Sequence, residues 1–413
     1  MKSYGLLAVL TSILFACQVE QPKDLVINEI QVPSQSGGEP NLFLDQSDQL
    51  HLSWLENLND SSVVLLHTTL EDSGFTSPQE IAQGSNWFVN WADFPSVAVF
   101  PGEGDQIAAH WLQKRAIGTY DYDVRVSISE DSGNSWNPSF ILHQDGIAAE
   151  HGFVTLLPLN NGRIMGTWLD GRNTKMENES MDASEDGHHP MGGAMTLRSA
   201  EFDTNGQLYA EAELDARVCD CCQTDVALAK NGPVVVYRDR SDKEVRDISI
   251  VRSVEGQWTK PQSIAQDNWE IMGCPVNGPA IAANGDQVVI AWFTGARDSF
   301  KVQAIFSSDG GASFSEPLRV DDGDPSGRVD VVWKDNEQAI VSWVETVEEE
   351  GEVRIALVNP SGKVGSSSTL TTINPSRRSG FPILEKKQDQ YYLAFTEVAQ
   401  KETRVRFLNF SWD

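Results

Sequence analysis

The chain has 413 residues and carries 60 acidic against 31 basic side chains, a formal charge of −29. That length suits one large domain or two ordinary ones. The charge excludes nucleic acid as a partner, because a phosphate backbone needs a basic face, and suits a strongly solvated outer surface.

In chain order, Met1-Lys2 is followed by an apolar run from Leu6 to Ala16 that ends in Leu14-Phe15-Ala16-Cys17. The run is too short to span a bilayer. A charged start, an apolar core and a small residue before the cut form the pattern of an export signal. With a cysteine directly after the small residue, the segment resembles a bacterial lipobox. The resemblance implies a signal peptide over 1–16, lipidation of Cys17 and a tether over 17–23. It also implies a bacterial cell envelope location, with the membrane touched only through the lipid. An ordinary secretory signal is the alternative. No other stretch is apolar for long enough to form a transmembrane helix.

From Asp24 onward the chain repeats itself. Short apolar strands end in a small or polar residue and an aromatic, at Trp54, Trp111, Trp168, Tyr237, Trp292, Trp343 and Phe395, with a period of roughly 55 residues. Each unit has a strand before the aromatic one, a third after it and a short fourth, separated by Gly/Asn/Asp turns, which reads as antiparallel β. Four strands per repeat arranged radially predict an all-β fold, a β-propeller of four-stranded antiparallel blades over residues 24–413. Seven blades are counted, with six as the alternative. The last unit lacks a fourth strand, and Asp24–Val32 has no unit of its own, so the N-terminal strand is expected to close the ring. That pairing would also hide sheet edges.

The turns "SEDSGNSW" (Ser129–Trp136) and "SSDGGASF" (Ser307–Phe314) share the pattern Ser-x-Asp-x-Gly-x-Ser-aromatic. They resemble the Asp box, or BNR repeat, of sialidase-type propellers. The resemblance implies the fold and a glycan-related activity, with the Asp boxes structural and remote from the active face. Sialidases characteristically have six blades and carry an Arg-Ile-Pro motif that supplies one of three arginines for the sialate carboxylate. No Arg-Ile-Pro occurs here, so the chain is not a typical sialidase and no family catalytic residue is carried over.

In a propeller, the loops joining second to third strands and fourth strands to the next blade meet at one mouth of the central channel, where binding residues gather. Those loops hold Arg172, Arg217, Arg238, Arg240, Arg246, Arg297, Arg328, Arg377 and Arg378, and also Trp87, Trp91 and Trp269. Arginines concentrated in an acidic chain predict planar recognition of carboxylate, sulfate or phosphate, and the tryptophans suit sugar stacking. Pairing of arginines with neighbouring acids and packing of the tryptophans between blades are the structural alternatives. Asp93, Glu150, Asp170, Asp239 and Asp247 are available as acid and base; Asp93, Asp170, Asp239 and Asp247 are the catalytic candidates. A tyrosine nucleophile is conceivable at Tyr120, Tyr122 or Tyr237, the last also holding the core position of its repeat. The insertion from Asp170 to Ala194, with His188-His189, is a candidate lid.

"ARVCDCCQTD" (Ala216–Asp225) sits in the same loop set, with Cys274 in the corresponding loop one blade later. Disulfides persist outside the cytosol, so a bridge from the triplet to Cys274 is expected, with a second between Cys219 and Cys221 or Cys222. Cys219-x-x-Cys222 has zinc-like spacing, but structural zinc normally needs two such pairs or added histidines. No cofactor is expected, no metal ligand is assigned, and a monomer is expected. Three functions stay open: an enzyme acting on an anionic glycan, conceivably a glycoside hydrolase; a non-catalytic glycan- or protein-binding propeller; and a metal- or redox-linked protein using the cysteines with His151 or His188.

Overall fold

The computed structural model describes residues 24–102, 105–176, 193–400 and 402–412. Cys17, the signal and tether segments, and His188-His189 lie outside the described residues. The chain forms seven antiparallel sheets in sequence order. Blade three is representative: His151–Pro158, Ile164–Asp170, Thr196–Phe202 and Leu208–Asp215, innermost to outermost. The innermost strands of successive blades are Gly37–Leu44, Ser96–Val99, His151–Pro158, Asp225–Ala229, Ala280–Asn284, Pro325–Trp333 and Ile383–Lys387. Each touches the next, and the last touches the first, so they form a closed ring around a channel. The helical pieces among the described residues are short, such as Arg172–Met176, and none is long and apolar enough to cross a membrane.

The ring closes as expected. Leu25–Glu29 pairs antiparallel with Glu402–Trp412, from Leu25↔Trp412 to Glu29↔Leu408, and so becomes the outer strand of blade seven. Arg406 forks onto the Glu29 carboxylate across this seam.

Blade-to-blade packing explains the periodic aromatics. Each of the seven interfaces between neighbouring blades holds its own hydrophobic cluster. All seven repeat aromatics are buried within these interfaces. A buried indole N–H needs an acceptor, and three of the repeat tryptophans find one two residues on, while Trp292 donates to Asp267. Trp54 donates to Glu56 at 2.8 Å, Trp168 to Asp170 at 2.7 Å and Trp343 to Glu345 at 2.6 Å. The two Ser-x-Asp-x-Gly turns fold identically. Asp131 and Asp309 each accept the amide and hydroxyl of the serine four residues later, at 2.6–2.9 Å. Gly133 and Gly311 take φ of 87° and 81°, which only glycine adopts freely.

Candidate functional site

The inter-blade loops 85–95, 216–224, 264–279 and 374–382 meet one another: Gln223 bonds Ala92 O and the Gly278 amide, and Trp91 stacks on Phe381. What their side chains do there departs from the sequence reading. Arg238 and Arg328 are buried, and both spend their guanidinium on main-chain carbonyls. Arg238 reaches Arg246 O, Asn277 O and Phe293 O at 2.7–3.1 Å, tying blade four to blade five. Arg328 reaches Gly380 O, Pro375 O and Ser376 O at 3.0–3.3 Å and the Ser379 hydroxyl at 2.6 Å, tying blade six to blade seven. Both brace neighbouring blades through these bonds. Arg172 is held by Asp170, Asp145 and Glu211, and Arg240 and Arg246 by Glu244 and Asp220. Arg217 pairs with Asp242 at 3.2 Å on the surface, and Arg378 donates to Gln400 O at 3.2 Å. Arg297 and Arg377 are exposed; Arg297 lines a cleft with Gln266, Asp267 and Ser313 toward the outer strands of blades four and five, and Arg377 stands beside Trp91. The arginines therefore do not form one continuous anion cradle.

The tryptophans divide similarly. Trp87 and Trp269 are buried, Trp87 stacked on Trp111 and Trp269 against Phe293 and under Arg238. Both are packing residues. Trp91 is half-buried, stacked on Phe381 with ring centroids 5.7 Å apart, with the Arg377 guanidinium 5.8 Å from its ring. The Arg328 guanidinium lies 5.5 Å from the same ring, and Trp91 is the one of the three tryptophans that is not buried.

The four candidate carboxylates are each committed to the scaffold. Asp170 occupies the repeat's acceptor position after Trp168 and is fully buried under Arg172. Asp239 holds the same position after Tyr237 and accepts from Ser249 at 3.2 Å. Asp247 accepts the Asn268 and Trp269 amides at 2.9 and 3.0 Å, fixing loop 264–279. Asp93 accepts the Phe153 amide at 2.7 Å.

Asp93 belongs to a set that the sequence reading missed. Along the channel, an acid of one blade caps an inner-edge amide of the next. Asp93 caps Phe153, Asp225 caps Ile281 at 2.8 Å, and Asp330 caps Leu384 at 2.7 Å. Glu385 similarly interacts with the Leu44 amide. Burial, opposed by these amides, raises Asp93, Asp225 and Glu385 to about 7, and raises Asp330 as well. Unfolded, such carboxyls titrate at 3.8 or 4.5, so between those values and about 7 the folded state binds more protons. Their contribution to stability is complete below the unfolded value and is lost as pH rises through about 7. The expected result is a lower chemical-denaturation midpoint at pH 8 than at pH 6, by about 1 kcal/mol per group. Asp225→Asn, which mimics the protonated acid, should lose about that much less over the same interval.

One carboxyl at the mouth has a different setting. Tyr122, at the start of a blade-two strand, is fully buried against Phe88, so it cannot meet a substrate itself. Its hydroxyl lies 3.2 Å from Asp93 Oδ2 and 3.0 Å from Glu150 Oε1. One hydroxyl hydrogen serves two acceptors less well than one, so a proton on either carboxyl, donated to the phenol oxygen, completes the three-group contact. Asp93 is buried, whereas Glu150, the last residue of its loop, is only partly so. Burial pushes Glu150 up to about 8; the Tyr122 bond opposes this, and the charges of Asp93 and Asp220 reinforce it. Asp220, one blade on, lies 3.3 Å from Arg246 and 3.7 Å from Arg240. Of the other tyrosines, Tyr237 is buried and donates to Asp215 at 2.6 Å, while Tyr120 is exposed.

The expected disulfide staple is not formed. Cys219, Cys221, Cys222 and Cys274 are all free thiols. Cys219 lies 3.7 Å from Cys221 and 3.6 Å from Cys222 between sulfurs, against about 2.05 Å for a bond. The loop gathers its three sulfurs onto a common point instead of sending one across. The predicted neighbour relation of the two loops holds, since Cys221 and Cys274 sulfurs lie within 4.8 Å. His151 does not join the cysteines: it is buried, stacked on His143 and paired with Asp145 at 2.8 Å.

No protein-family model matches the sequence, and the search among curated proteins finds no match. Solved structures do share the fold. The polysaccharide lyase Uly1 superposes with a TM-score of 0.54 at 10% identity, over 92% of this chain and 90% of that one. A protein of unknown function from Dyadobacter fermentans gives 0.51 at 12% identity, over 94% and 99%. NanB sialidase from Streptococcus pneumoniae is looser, at 0.44 and 10% identity, over 94% of this chain and 70% of that one. The chain thus shares its propeller architecture with Uly1 and the Dyadobacter protein.

Proposed function

We propose that this chain is a glycan-acting propeller of the bacterial cell envelope, carried there by a lipid on Cys17, with its chemistry at the mouth where blades two to four meet. Glu150 is the general acid that protonates a glycosidic oxygen, and Asp220, held by Arg240 and Arg246, is the second carboxylate. Two carboxyls with separate roles, one giving a proton to the leaving oxygen and one serving the reacting carbon, are what glycoside cleavage requires. The observation that carries this reading is the Tyr122 hydroxyl between Asp93 and Glu150, which favours a proton on the pair, with Glu150 its more exposed member. The glycan is anionic: Arg377 stands exposed beside the half-buried Trp91 in an otherwise acidic chain. The glycan-acting neighbours support the class of substrate without naming it.

A non-catalytic binding module is the second reading. It is favoured by the structural duties of Asp93, Asp170, Asp239 and Asp247, which leave few carboxyls for chemistry. Incubation of the purified chain with uronate-containing, sulfated, sialylated and neutral polysaccharides separates the two. Release of oligosaccharides from a charged member supports the enzyme. Retention on such a glycan without release supports the module, and indifference to all of them contradicts both.

A further inference from the structure

The four free thiols have a geometry that bonding pairs would not need. We infer that Cys219, Cys221, Cys222 and Cys274 form a binding site for a thiophilic d10 cation, zinc(II) or copper(I), at the junction of blades three, four and five.

Sulfur spacing is the first argument. Two thiolates about 2.3 Å from a tetrahedral zinc stand about 3.8 Å apart, and the Cys219–Cys221 and Cys219–Cys222 separations are 3.7 and 3.6 Å. All three sulfurs lie within 4.8 Å of one another, and Cys274 lies within the same distance of Cys221. Three sulfurs from one loop already share one centre, and Cys274, exposed beside Cys221 in the loop of the next blade, becomes the fourth ligand by turning toward Cys219 and Cys222.

The framework around them is the second. Cys219 and Cys222 are buried, 1% and 2% exposed. The loop backbone is fixed at its root, with the Val218 amide on Met195 O at 2.9 Å and the Cys219 amide on Arg238 O at 3.0 Å. Just past the cluster, Gln223 bridges Ala92 O at 2.7 Å and the Gly278 amide at 3.0 Å, which also anchors the loop that carries Cys274. The ligand-bearing segments are thus held before any ion arrives.

Charge is the third. Four thiolates around a divalent ion leave two negative charges in a largely buried place, a heavy cost without compensation. Arg246 Nη1 points at Cys219 Sγ from 3.1 Å. That guanidinium beside the sulfurs offsets part of the excess, and an N–H···S bond of this kind orients and tunes a thiolate ligand. Binding would release the thiol protons. An ion here would lock the loop that bears Asp220, but the inference does not depend on the glycan reading and fails separately from it.

The test uses the full purified chain, reduced and then handled without oxygen, with a thiol count and metal analysis before and after exposure to zinc(II), copper(I) or cobalt(II). About one ion bound per chain is expected, with all four thiols shielded from an alkylating reagent until a chelator is added. With cobalt(II), a sulfur-to-metal charge-transfer band and intense tetrahedral visible bands are expected. Metal analysis after mixed loading tells zinc(II) from copper(I). Cys274→Ser, at the exposed edge, should fold and weaken binding by about tenfold or more, and Cys222→Ser should remove the cobalt spectrum. Four thiols that alkylate at the same rate with and without metal, or a reduced chain that takes up none of the three ions, would overturn the site. So would mass loss showing two disulfides that re-form ahead of metal uptake in an equal mixture of metal and mild oxidant.

Discussion

Glu150→Gln is expected to lower turnover of the cleaved glycan by about 10²–10⁴-fold, the range for loss of a general acid. Glutamine keeps the shape and can still hydrogen-bond the Tyr122 hydroxyl, which stands 3.0 Å from Glu150, but it has no acidic proton to deliver. Binding of the same glycan and the denaturation midpoint should stay close to those of the parent chain. A kcat that falls while KM and stability hold separates this role from a structural one. Asp170→Asn serves as a contrast. Asp170 accepts from Trp168 and Arg172 inside the blade, so its loss should appear first in stability.

The second large effect concerns an arginine that the sequence assigns to ligand binding. Arg238→Ala is expected to destabilise the fold by about 3–5 kcal/mol, because it strips partners from three buried carbonyls, each costing about 1–3 kcal/mol when left alone. Arg246 O, Asn277 O and Phe293 O are those carbonyls. The Trp269 ring loses the guanidinium 5.0 Å from its centroid as well. Arg377→Ala, at an exposed residue, should leave the midpoint within about 0.5 kcal/mol and weaken capture of the charged glycan. Guanidinium denaturation and glycan binding measured side by side on the two variants distinguish brace from ligand contact.

The contrast between these arginines shows what sequence can and cannot carry. The blades were legible because burial at a fixed register repeats: Trp54, Trp168, Trp292 and Trp343 each fill the same slot between neighbours. Closure by Leu25–Glu29 was legible because one unit lacked a strand and one strand lacked a unit. The address of the cysteines was legible because corresponding loops of adjacent blades must meet. The fate of a guanidinium was not, since a carbonyl acceptor leaves no mark on residue identity; nothing in Arg238 or Arg328 distinguishes them from exposed Arg377. One signal was present and passed over. Trp54-Leu-Glu56, Trp168-Leu-Asp170 and Trp343-Val-Glu345 share an acid two places after the indole, which marks Asp170 as part of the repeat before it is a candidate for catalysis. Glu150 stood among the available acids, but its pairing with Tyr122 arises from two loops that touch only in three dimensions, so spacing could not raise it above the others.

The position of a bound glycan tests the account most directly. A crystal structure of the Glu150→Gln variant with an oligosaccharide from the best substrate is predicted to show a sugar ring at the mouth between blades two and four, with a glycosidic oxygen within hydrogen-bond reach of residue 150. Density for the sugar on the opposite face, beside the Asp131 and Asp309 turns, or at the mouth but beyond reach of residue 150, would contradict it.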